Sequence, residues 1–195
     1  MAEEKKTGTF STEAIERMRE FFVKNAKAED GVRLDCITTL NTAMRLLLDM
    51  PRHPVGSAID KTMNSLCRSG HATKPYMIEF NDAQGNKTLG VKPPEELQES
   101  ILDAMLELAD CETGWNVFGL SIMDGYHSVT LTLDYNDPEA PHIYWSDQWT
   151  SKGGWVEYEA DELDEEITRH TKHWWDGFEK ARKPRTCTTL WRILP

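Results

Sequence analysis

Residues 115–158 read WNVFGLSIMDGYHSVTLTLDYNDPEAPHIYWSDQWTSKGGWVEY, and their apolar period is two. Val117 to Met123, His127 to Tyr135 and His142 to Ser146 are strand-like runs. Asp124-Gly125 and the loop Asn136 to Pro141 separate them, which predicts an antiparallel meander. Lys152, Gly153 and Gly154 supply the next turn, and Trp155 to Tyr158 a fourth strand.

Ahead of this stretch the period is helical. Ser11 or Thr12 caps a helix carrying Ile15, Met18, Phe21 and Phe22, which ends before Asp30 and Gly31. Asp35 caps the next, in which Leu34, Ile37, Leu40, Met44, Leu47 and Leu48 repeat at three and four until Pro51. Val55 to Leu66 predicts a third helix, and Tyr76 to Phe80 a strand closed by the turn Asp82 to Asn86. Pro93, Pro94, Glu95 and Glu96 form a helix start, with Leu97, Ile101, Met105, Leu106 and Leu108 on the buried face. After the meander come an acidic helix, Asp161 to Arg182, and an edge strand, Thr188 to Leu194. Helices followed by a sheet predict an α+β fold, with N-terminal helices packed on a mainly antiparallel sheet.

The 195 residues fit one domain, 1–195, with residues 1–10 as a flexible start. No apolar run reaches the length of a membrane span or a secretory signal, so the expected place is the cytoplasm. The net charge of −11 opposes a phosphate-tracking groove, so nucleic acid is not an expected partner. Cys36, Cys67, Cys111 and Cys187 are scattered with no CxxC, which suggests neither a disulfide scaffold nor a zinc knuckle.

Three groups carry candidate chemistry. Cys36 sits in the first turn of its helix, where unpaired amides and the dipole favour thiolate, although the neighbouring Asp35 opposes it unless turned into the cap. A packed, inert thiol is the commoner use of such a position. His127 opens a strand straight after a tight turn, at the sheet rim, on the same face as Val129, Leu131 and Leu133. There it serves as a base or as a core-edge histidine bonded to a carbonyl. Tyr144-Trp145-Ser146-Asp147-Gln148-Trp149 ends the following strand. Asp147 or Gln148 could orient the imidazole, and the flanking tryptophans would shield that bond.

In combination, Cys at a helix start, His127-Ser128-Val129 at a strand start and an acid or amide beside Trp149, followed by Gly153-Gly154-Trp155, resemble the papain-like cysteine peptidase superfamily. The likeness extends to bacterial cell-wall amidases and injected amidase toxins. It covers the cysteine helix and residues 115–158. It implies a papain-like core, with Cys36 as nucleophile, His127 as base and Asp147 as orienter in place of the family's Asn. Gln148, Trp149 and Asp35 are its supporting residues. It implies acyl transfer through a thioacyl intermediate on a peptide or peptidoglycan-like amide, with no metal and no cofactor. The toxin likeness adds a cognate inhibitor and a contractile delivery machine as expected partners. The sequence departs from the papain pattern at Asp30, which stands where the family has a Gln oxyanion donor, and in Leu34-Asp35-Cys36-Ile37-Thr38 around the thiol. Transglutaminase-like proteins share the Cys, His, Asp order, so transfer to an amine stays open.

Other readings compete. Glu166, His170, His173 and Asp176 have metal-ligand spacing on the acidic helix, where charges on a solvated face are the commoner case. His71 is an alternative base. Cys67, Cys111 and Cys187 read as packing, and Trp174-Trp175 as docking their helix on the sheet. Arg182-Lys183-Pro184-Arg185 is a short basic patch. A non-enzymatic adaptor would instead present Trp115, Trp145, Trp149 and Trp155 as one recognition surface.

Overall fold

The structure, a computed structural model, describes residues 8–29, 32–52, 57–78, 80–81, 87–88, 96–97, 99–122, 125–148, 153–180 and 188–195. The helices are α1 (Thr12–Ala26), α2 (Cys36–Leu47), α3 (Ile59–Arg68), α4 (Ile101–Leu108) and α5 (Ala160–Lys180). The strands are β1 (Tyr76–Ile78), β2 (Phe80–Asn81), β3 (Lys87–Thr88), β4 (Glu96–Leu97), β5 (Trp115–Ile122), β6 (His127–Asp134), β7 (His142–Ser146), β8 (Val156–Tyr158) and β9 (Thr188–Ile193). The fold is α+β.

The expected meander forms. β5, β6 and β7 pair antiparallel in sequence order and β8 follows β7, so one side of the main sheet runs β5-β6-β7-β8. The other side corrects an expectation. β9 is no edge strand: it lies between β1 and β5, pairing Leu190 with Tyr76 and with Leu120. Its six residues are all buried, because Leu190 joins one core while Trp191 and Ile193 join the other. A strand flanked by two ladders and two helical layers has no solvent side. A small second sheet, β3-β2-β4, stands apart.

Helices cover both faces. α1, α2 and α3 pack on one through Ile15, Met18, Phe22, Leu40, Met44, Ile59 and Met63. α4 and α5 pack on the other through Ile101, Met105, Leu163 and Ile167, against Phe118, Leu120, Val129 and Leu131. β6 is therefore buried on both sides, its Ser128, Thr130 and Thr132 face included. α2 runs along β6, and short hydroxyl side chains let a helix approach closely where alternation in the sequence reads as a wet face.

Several local expectations are also corrected. α4 begins at Ile101. Ser100 caps it by accepting from the Leu102 N–H (3.2 Å), and Asp164 of α5 accepts from the Ile101 N–H (2.8 Å), while Glu96 and Leu97 pair with β2 instead. Pro93 and Pro94 and the turn 82–86 lie outside the described residues. Within the predicted flexible start, Gly8 donates to Glu112 (2.9 Å), and buried Phe10 donates to the Trp115 carbonyl (2.9 Å). Residues 1–7 lie outside the description. Among the described residues no helix is long and apolar enough to cross a membrane.

Candidate active site

Cys36 is the first residue of α2, and its presentation depends on the end of α1. Asp35 is the N-cap, its Oδ1 accepting from the Thr38 N–H at 2.7 Å. Its carboxylate is thus turned into the cap. Buried Asn25 of α1 accepts from the Leu34 N–H (3.3 Å), and the Arg33 guanidinium donates to the Ala26 and Ala28 carbonyls (3.3 and 3.1 Å). These bonds hold the approach to the thiol without regular structure. The first-turn amides at Cys36 and Ile37 have no intrahelical acceptor by helix geometry, so they face outward as donors.

His127 opens β6 two residues after Gly125, whose φ of +85° needs no side chain. Asp147 is the first residue beyond β7. The register Thr130↔Ser146 lays the start of β6 against the end of β7. Two residues 20 apart in sequence meet as a result: His127 Nε2 lies 2.9 Å from Asp147 Oδ2. The same oxygen accepts from Trp145 Nε1 at 3.0 Å. His127 and Asp147 are both buried, so the rim position expected for His127 is a covered one: α5 closes that side of the sheet end.

The half-buried Cys36 thiol faces the His127 side chain and the Ser128 backbone N–H, both of which favour its thiolate. With Nε2 committed to Asp147, Nδ1 is the ring nitrogen left for the thiol. Burial pushes Cys36 up, but the His127 hydrogen bond and charge, with the Ser128 amide, outweigh it and hold the thiol below its usual value, against a small opposing effect of Asp35. Burial pulls His127 down, yet the hydrogen bonds and charges of Asp147 and Cys36 lift it to about 9. Both directions favour a thiolate beside an imidazolium.

No family model matches the chain, and no curated protein matches it. Among solved structures, the crystal structure of Pseudomonas avirulence protein AvrPphB is similar at a TM-score of 0.29 and 9% identity, over 97% of this chain and 98% of that chain. A likeness that slight says nothing of activity here.

The remaining predicted residues divide. Gln148 is buried, but it is Asp147 that takes the imidazole; among the described residues the Gln148 Oε1 meets no hydrogen-bond partner. Trp149 and Asp30 lie outside the described residues, as do Cys187 and residues 182–185. Among the described residues, Trp115, Trp145 and Trp155 do not form one surface. Trp145 is buried on Asp147, whereas Trp115 and Trp155 flank Tyr144 in a cleft of about 330 Å³ with Ile15, Glu16, Arg19 and Glu157, on the α1 face of the sheet. His71 is spent on the Leu194 carbonyl through Nδ1 (3.2 Å). Cys67 is half-buried against the α1–α3 core, but Cys111 is exposed in the turn after α4, so it is not a packing residue.

His170 is the residue that the sequence reading misplaced. Rather than standing on a solvated face, its ring lies 5.6 Å from that of His127 and stacks on Trp145 at 5.7 Å and 14°. His173 is exposed, and the side chains of Trp174, Trp175 and Asp176 lie outside the described residues. A signal was present: Leu163, Ile167 and Thr171 recur every four residues, and His170 adjoins that buried stripe at i+3 from Ile167.

Proposed function

We propose that this protein is a cysteine hydrolase with a papain-like arrangement of Cys36, His127 and Asp147, cleaving an amide in a peptide or peptidoglycan-like substrate. One observation carries this reading: the His127 ring is bonded to a buried carboxylate and coupled electrostatically to a thiol at a helix N-terminus. A packing cysteine needs neither partner.

The Cys36 thiolate attacks the carbonyl carbon, and the developing oxyanion meets the Cys36 backbone N–H. As the C–N bond breaks, His127 gives its proton to the departing amine, leaving a thioester on Cys36. Water then delivers a proton to His127 and its oxygen to the acyl carbon. The acid is released and the thiolate restored. Asp147 fixes the ring and stabilises its charged form, with Trp145 holding the carboxylate. Each step uses only a sulfur nucleophile and proton transfers.

The test is site-resolved alkylation by iodoacetamide near pH 6.5, read by peptide mapping. Cys36 is expected to react at least about tenfold faster than Cys67 and Cys111, and His127→Ala to abolish the difference. Equal rates at all mapped cysteines overturn the reading. Trapping of an acyl adduct on Cys36, with and without added amine, separates hydrolysis from amine transfer.

A further inference from the structure

We infer that His170 is a positioning residue for the His127–Asp147 pair: its ring, seated with Trp145 at the sheet end, excludes water from the pair. This rests on the function proposed above, although its first readout does not.

The geometry supplies the argument. α5 carries His170 against the sheet end, anchored by Leu163 and Ile167 in the core; buried Thr171 satisfies its hydroxyl within the helix, donating to the Ile167 carbonyl at 2.9 Å. The His170 side chain is 14% exposed and forms the outer layer of a stack in which Trp145, the donor to Asp147, comes next. Tyr158 of β8 meets Trp145 edge-on at 6.2 Å. The pair is thus roofed by one imidazole, one indole and one phenol ring.

The charged groups acting on His170 are His127 from β6, Asp147 from the end of β7, and Glu166 and Arg169 on its own helix, while the phenol of Tyr158 from β8 meets Trp145. Its Nε2 lies 3.0 Å from Glu166 Oε1, while Arg169 Nε donates to the other Glu166 oxygen at 3.0 Å. Burial lowers its proton affinity; Glu166 raises it, and His127 and Arg169 lower it further, leaving it below the usual histidine value. A neutral His170 beside a charged His127 is the consistent state near neutrality. Acid then places two cations 5.6 Å apart, which loosens the proton on His127.

Three variants of the full chain test this, His170→Phe, His170→Ala and His170→Lys, each checked for an unchanged fold by circular dichroism. The first readout is the downfield NMR proton of the His127 Nε2–H···Asp147 bond. It is expected to persist in wild type and Phe, and to broaden away in Ala, where water reaches the pair. The second is the pH profile of Cys36 alkylation. Phe should stay within about threefold of wild type at pH 7 and lose one titration from the acid limb. Ala should fall by about tenfold to a hundredfold. Lys should lower by about one pH unit the alkaline titration of His127 read from that NMR proton. Retention of the NMR proton and of wild-type alkylation in Ala overturns the inference, as does a Phe variant no better than Ala. Equal cysteine reactivity in wild type defeats the hydrolase reading instead, and the NMR proton still decides the role of His170.

Discussion

His127 and Asp147 are 20 residues apart in the chain and 2.9 Å apart in space, imidazole Nε2 to carboxylate Oδ2, both hidden from solvent. Burial alone would make that ring neutral; the carboxylate, together with Cys36, makes it a cation to about pH 9. Asp147→Asn keeps an acceptor and removes the charge. The alkaline limb of turnover is therefore expected to move down from about 9 towards the ordinary histidine range, with turnover at pH 7 reduced by about 10²–10⁴-fold. An unmoved limb would show that the charge is not what holds the proton.

The proposed ion pair also predicts a pH window. Turnover rises as pH climbs through the lowered Cys36 value, because the thiol must lose its proton. It falls through about 9, because His127 must keep one for the leaving group. Alkylation, which needs only thiolate, is expected to share the acid limb and persist above pH 9. Parallel profiles of turnover and iodoacetamide rate check the difference.

Gly153 and Gly154 turn the chain into β8, both with positive φ (+100° and +86°). An added Cβ meets nothing at Gly153, whereas at Gly154 it runs into the Phe22 carbonyl of α1. Gly153→Ala should cost only the left-handed conformation, about 1–2 kcal/mol. Gly154→Ala should exceed that in urea unfolding, since backbone must shift as well.

Arg192 is a buried cation on β9. It donates to the Ala109 carbonyl (3.1 Å) and Asn116 Oδ1 (2.8 Å), and pairs with partly exposed Glu112. Arg192→Met leaves Asn116 and the end of α4 without their donor. We expect a loss of about 3 kcal/mol in the same urea assay, at the low end for a broken buried pair because Glu112 reaches water. Alkylation of Cys36, positioned by α1 and α2, should hardly change.

Much of the site was legible because its cues are local. Asp35 three residues before the Thr38 amide is a cap, and a thiol behind a cap lies at a helix N-terminus. The meander puts the start of β6 against the end of β7, so His127 and Asp147 meet once the turns are recognised. Less legible were features that depend on a remote partner. The placing of His127 under α5, and of His170 on its roof, comes from packing between residues 43 apart in the chain. Periodicity marks the inward stripe of a helix without saying what it will cover.

Composition and alternation alone determined an α+β chain, its capped cysteine helix and its three-stranded meander, because caps, turns and period are written within a few residues of one another. Tertiary structure decided that β9 sits inside the sheet, that the hydroxyl face of β6 is covered, and that a helical histidine stacks beside His127. Strand order and layer cover are long-range choices made by the total area that each arrangement buries, and no local stretch of sequence carries that sum.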